Sequence, residues 1–180
     1  MAIPLIWLGA GLAAAYAGSQ IAREKQIADG HIRHFPGGHQ TAVMPADGAI
    51  VCCGIYELFQ HTGIWLEGRI VELRGNGLIR AVSPERFLAD RSGNRIYVAA
   101  NENLQPLIDS VCVSRVIPQL YQYSEYDLIT NNCHRFVNQC VTGRSQQITR
   151  FAELNENLSG HFSQQIHWQP ADYNTNYLGE

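Results

Sequence analysis

Asn131-Asn132-Cys133-His134-Arg135-Phe136-Val137 sets one thiol at the expected first turn of a short amphipathic helix, behind two good capping residues. The amino end of a helix carries about half a positive charge, and that field favours the thiolate, the nucleophilic form of cysteine. A base for such a thiol stands upstream: His61 lies in Gln60-His61-Thr62-Gly63-Ile64-Trp65-Leu66, and Glu72 in Arg69-Ile70-Val71-Glu72-Leu73. Thiol, imidazole and carboxylate are the parts of an acyl-transfer centre. Cys133, His61 and Glu72 are therefore the candidate catalytic residues, as nucleophile, base and orienter.

The elements that must hold them follow from the same stretches. Glu67-Gly68 between the two apolar runs is a hairpin signal. With a two-residue loop, Leu66 pairs with Arg69 and Gly63 with Glu72, so His61 reaches Glu72 diagonally on one face. Arg74 then lies across from His61, and an ordinary Glu72–Arg74 ion pair is the plainer use of that carboxylate. Ala49-Ile50-Val51-Cys52-Cys53 reads as a buried strand, and Leu78–Val82 and Arg95–Ala99 as further strands. Ser83-Pro84 opens a short helix. The spacing of Leu104, Leu107, Ile108, Val111, Cys112 and Val116 predicts helix across residues 104–120, followed by an aromatic loop, Tyr121 to Tyr126. The cysteine helix should bury Phe136, Val137, Cys140 and Val141 and stop at Gly143. His134 is a poor alternative base, because adjacent helical residues point about 100° apart. Cys140 reads as packing, with a redox role the minor alternative.

Composition excludes several classes. The 180 residues are 46% hydrophobic and 16% charged, which fits a folded domain with appendages. A net charge of −3 leaves no electrostatic footprint for nucleic acid. Five cysteines, two of them vicinal, make a poor disulfide framework and favour a reducing compartment. No zinc-ligand spacing or phosphate-binding glycine loop is present, and no cofactor is expected.

Residues 2–17 carry no charge, and the segment to Ala22 is about the length a helix needs to cross a bilayer core. Residues 1–22 are thus read as a hydrophobic, membrane-spanning helix. Arg23, Lys25 and Arg33 follow it and place the rest of the chain on the cytoplasmic side. Ala10, Ala14 and Gly18 recur every four positions, a spacing that allows helix–helix self-association. The alternative is an Ala/Gly-rich helix packed on the folded domain. Residues 23–44, with Gly30, Pro36, Gly37 and Gly38, read as a linker whose His31, His34 and His39 are solvated and bind no metal. Residues 45–143 form the catalytic domain. Residues 144–180 are a tail: an amphipathic helix from Thr149 to Leu158, then an irregular polar stretch in which Trp168 and Pro170 pack back.

The ordered set Gly48-Ala49-Ile50-Val51, His61-x-Gly-Ile-Trp-Leu, Arg69-Ile70-Val71-Glu72-Leu73 and Asn132-Cys133-x-x-Phe136-Val137 resembles the lecithin:retinol acyltransferase-like family of the NlpC/P60 superfamily, over residues 45–143. The resemblance implies an α+β, circularly permuted papain-like fold, with an antiparallel sheet packed on the catalytic-cysteine helix. The family's histidine falls on His61 and its nucleophile on Cys133. Many members carry a second histidine where this chain has Glu72, and many read Asn-Cys-Glu-His-Phe where it has His134 and Arg135. Animal members often carry a membrane anchor at the carboxyl end, not the amino end. The implied activity is a thiol-dependent acyltransferase or acyl hydrolase on a lipid-like ester, thioester or amide, through an acyl-cysteine. Two other classes compete: a cysteine peptidase or amidase on cell-wall peptides, as elsewhere in the superfamily, and a non-catalytic interaction module.

Overall fold

The computed structural model describes residue 18 and residues 20–55, 59–89 and 91–173. Most of the expected membrane segment lies outside the described residues. Among the described residues, no helix is long and apolar enough to cross a membrane.

Among the described residues, seven strands form one sheet: β1 Ile32–His34, β2 Ile50–Ile55, β3 Phe59–Leu66, β4 Arg69–Leu73, β5 Ile79–Val82, β6 Ile96–Ala100 and β7 Ile166–Pro170. Their order is β1-β7-β6-β2-β3-β4-β5, antiparallel throughout except for the β1–β7 pair. Helices are α1 (residues 20–28), α2 Pro84–Leu88, α3 Cys112–Val116, α4 Cys133–Thr142 and α5 Phe151–Phe162. The chain is thus a mixed α+β protein.

Alternation along the strands gives the sheet two apolar faces. Ile50, Cys52, Ile64, Val71 and Leu73 point to the side covered by α4 and α5, where Val137, Val141, Leu154 and Leu158 are fully buried. Val51, Cys53, Trp65 and Ile70 point to the other side, closed by Phe87 of α2. Ser83 caps α2 through its hydroxyl, with Pro84 at the first helical position, as the Ser-Pro pair predicts.

Three expectations are corrected. Residues 104–111 are not helical. Asn101 accepts the N–H groups of Asn103 and Gln105 at 2.9 Å each, Leu104 takes a left-handed φ of 61°, and Pro106 bridges Ala100. Proline lacks the N–H and clashes inside a helix, so the segment folds back on β6 and the helix begins only at Cys112. The stretch read as a linker holds α1 and β1. Gln26 is buried and donates to the Ala152 carbonyl of α5, and His34 stacks on His39 with ring centres 4.8 Å apart and meets His167 edge-on. Those histidines pack against β7; among the described residues no cluster could hold a metal ion. The tail read as irregular supplies β7, whose Trp168 is fully buried and donates to Asn155 Oδ1 at 3.0 Å. Burying an aromatic of that size is worth about 3 kcal/mol, enough to draw a short polar strand into the sheet. The sheet therefore extends beyond residues 45–143.

Candidate active site

The thiol is presented by the first turn of α4. Asn132 has extended backbone, and its side-chain oxygen accepts the N–H groups of His134 and Arg135 at 2.9 and 3.0 Å. Its amide donates to the carbonyls of Leu128 and Thr149, both at 3.0 Å. One side chain thus starts the helix and ties it to the loops on either side. Cys133 follows, only 4% exposed, and its own N–H has no acceptor among the described residues.

The hairpin supplies the base. Glu67 and Gly68 both take left-handed φ values, 48° and 71°, the geometry of a two-residue hairpin loop. Leu66 accordingly pairs with Arg69 and Ile64 with Val71, the register the sequence predicts. His61 Nε2 lies 2.8 Å from Glu72 Oε2, and the ring packs on Phe87 with centres 5.2 Å apart. Nε2–H therefore donates to the carboxylate, which leaves Nδ1 as the ring atom free to take the thiol proton.

Glu72 does not pair with Arg74. Its fully buried carboxylate accepts Nε and Nη2 of Arg80 at 3.0 and 2.9 Å on Oε1, and Arg91 Nη2 at 3.0 Å on Oε2. Arg80 stands directly across from Glu72 on β5, and Arg91 follows α2, where it also donates to the Phe87 carbonyl. Burial alone would push this carboxyl up. The hydrogen bond and charge of His61, with those of Arg80 and Arg91, outweigh it and hold the carboxyl at about 2.

The same contest decides the thiol. Burial opposes the thiolate, but the charges of His134 and His61 and a hydrogen bond from each bring Cys133 well below the ordinary thiol range. Burial likewise opposes protonation of His61. The Cys133 charge and the hydrogen bonds to Cys133 and Glu72 prevail and raise it. The two shifts in opposite directions favour a thiolate–imidazolium pair.

His134 is the residue that helical spacing discounts. Its Nδ1 lies 3.9 Å from Cys133 Sγ and 3.1 Å from Thr62 Oγ1, and the ring is buried against Phe151. At a helix start the thiol can lean across its neighbour's ring, which a bare 100° rotation does not capture. Thr62 is next to His61 and so faces the α4 side of β3, where it fixes this ring. Of the tyrosines in the 121–126 loop, Tyr121 and Tyr123 are exposed, whereas Tyr126 packs on the core. Its hydroxyl is pushed up to about 12 by burial and by the Cys133 charge, and so stays protonated. Arg80 was legible only through the β4–β5 register, and Arg91 carried no local signal.

No protein-family model, curated protein or solved structure matches this chain.

Proposed function

We propose that the chain is a thiol-dependent acyltransferase or acyl hydrolase acting on a lipid-like ester, thioester or amide. The carrying observation is the buried Cys133 thiol at the capped start of α4, close enough to His61 for each to shift the other's ionisation, with His61 held 2.8 Å from Glu72. The resemblance to the lecithin:retinol acyltransferase-like family supports the reading, and so does the order of a base strand preceding the cysteine helix, which suits a circularly permuted papain-like fold.

In this mechanism His61 Nδ1 takes the thiol proton, and Glu72 holds the imidazolium. The thiolate adds to the carbonyl carbon, forming a C–S bond while the C=O electrons move to oxygen. The Cys133 N–H, and with it the Tyr126 hydroxyl, would be the donors to that oxyanion. Collapse expels the leaving group, which takes the proton from His61, and leaves an acyl-cysteine. Water or an acceptor hydroxyl or amine, deprotonated by His61, then adds to the acyl carbon and the C–S bond breaks. Exposed Leu128, whose carbonyl accepts from the Asn132 cap, exposed Ile129, whose carbonyl accepts from the Thr149 hydroxyl, and exposed Phe59 at the start of the base strand supply apolar surface suited to an acyl chain. The uncharged segment before Arg23 supports anchoring at a membrane, with the folded domain on the cytoplasmic side.

The test is to incubate the protein with phospholipid and with acyl thioesters and to search for a Cys133 adduct by mass spectrometry. An acyl mass on the Cys133 peptide, absent from Cys133→Ser, is expected. Absence of the adduct across both donor classes sinks the reading.

A further inference from the structure

Four arginines converge on one cavity beside the candidate site. Arg74 at the end of β4, Arg80 on β5, Arg86 on α2 and Arg91 after α2 line a space of about 240 Å³ together with Ala89. Among the described residues, Glu72 is the carboxylate that pairs with these arginines: it engages Arg80 and Arg91 and is itself shared with His61. The Arg74 and Arg86 side chains have no acidic partner among the described residues. Among the described residues, four cations thus meet with one carboxylate, Glu72, paired to them. Such a grouping is repulsive unless an anion joins it.

The donors left over are arranged for one. A guanidinium offers five N–H groups in a rigid fork. Arg80 spends Nε and Nη2 on Glu72, which leaves Nη1, and the Arg74 and Arg86 guanidinium groups make no ion pair among the described residues. An incoming anion thus need not displace Glu72. The cavity is smaller than a typical drug-sized pocket, and Ala89 is its single apolar lining residue, so it suits a compact oxyanion and not an apolar ligand. Donors arriving from a strand end, a neighbouring strand and a helix call for oxygens pointing in several directions. A tetrahedral phosphate meets that demand better than a planar carboxylate.

We propose that the Arg74–Arg80–Arg86–Arg91 cavity is a binding site for a phosphate group, carried either by a soluble phosphate compound or by a lipid headgroup. The site stands on the geometry of the arginines and holds whether or not Cys133 is a nucleophile.

The experiment uses the full chain in detergent, titrated calorimetrically with inorganic phosphate and pyrophosphate against sodium chloride of equal ionic strength. A parallel arm measures sedimentation with phosphatidylcholine vesicles with and without phosphatidic acid. The variant is Arg74→Gln/Arg86→Gln, which leaves both arginines on Glu72 in place; circular dichroism confirms that it is folded. Saturable phosphate binding, weakened about tenfold or more in the variant, is expected for a soluble ligand. Binding that depends on phosphatidic acid, lost in the variant and absent with free phosphate, assigns the headgroup. Heat no greater than with chloride together with no preference for phosphatidic acid, or binding unchanged in the folded variant, overturns the proposal.

Discussion

The two ends of α4 carry the same side chain in opposite chemical states. Cys133 and Cys140 lie two turns apart and both are buried. At the amino end the thiol meets two imidazoles and is held well below its ordinary range. At the carboxyl end Cys140 faces Cys112 in an apolar setting; burial pushes it up to about 12 despite the nearby Arg115 charge. The two ends are also closed differently. Asn132 caps the first turn with its side chain, while Gly143 ends the helix at φ 70° and Arg115 Nη1 binds the Cys140 and Val141 carbonyls at 3.1 and 2.7 Å. Burial is common to both, so it is the neighbouring charges that set the thiolate-favouring end of the helix apart from the thiol-favouring one.

The sharpest way to break this contrast is to remove each thiol in turn. Cys133→Ser is expected to lower acyl turnover by roughly 10³-fold or more, the scale of losing a nucleophile. Cys140→Ala should keep wild-type turnover and lose only packing. In the native protein, iodoacetamide at neutral pH should label Cys133 alone, and Cys140 should react only after unfolding. Native labelling of Cys140 at a comparable rate, read by peptide mass spectrometry, would erase the distinction.

The imidazoles come next. His61→Gln removes the base and should cost about 10²- to 10⁴-fold in turnover. His134→Gln is expected to keep turnover at alkaline pH but to move the onset of Cys133 labelling upward, because the His134 charge is a main influence favouring the thiolate. Identical pH profiles for His134→Gln and wild type would reduce His134 to a packing residue.

Behind them stands Glu72, where the contrast becomes one of stability. Its carboxyl sits at about 2 when folded against an ordinary 4.5, so its contribution is present above pH 4.5 and lost as pH falls from there towards 2. Glu72→Gln also leaves two arginines without their counter-charge, and a loss of about 3 kcal/mol at pH 7 is expected from urea unfolding. The gap between wild type and variant should close through that acidic window. A gap that stays constant with pH would mean that the carboxylate's charge is not what stabilises it.

What the sequence disclosed divides along physical lines. The hairpin, its register, the Ser83 cap and both ends of α4 were readable because glycine, proline and capping side chains act locally. Glu72's true partners were not, because Arg80 reaches it only once β5 is paired and Arg91 arrives from a loop whose path depends on α2. Apolar spacing predicted helix over residues 104–111, yet Pro106 and the Asn101 side chain, both visible in the sequence, imposed a turn. Strand β7 offered only Ile166 and Trp168 in alternation among polar residues, and its place between β1 and β6 is a tertiary fact. The cysteine's neighbourhood was half legible: His61 through register, His134 not, since contact at a helix start depends on rotamers that spacing ignores.

The finest test concerns the two caps, because it separates helix stability from thiol activation. Asn132→Ala removes the acceptor of two N–H groups and the donor to the Leu128 and Thr149 carbonyls, and should cost about 1–2 kcal/mol. Gly143→Ala forces a side chain into left-handed backbone, with its Cβ about 3.1 Å from the Arg115 guanidinium, and should cost a similar 1–2 kcal/mol. Chemical denaturation would then score the two variants alike. Their thiols should differ: Asn132→Ala loosens the turn that holds Cys133 against His61 and His134, so its labelling should slow and shift to higher pH. Gly143→Ala acts two turns away and should leave the labelling profile in place. If both variants slowed labelling in proportion to lost stability, the thiol would be reporting the integrity of the helix as a whole, and the local field at its first turn would not be what activates it.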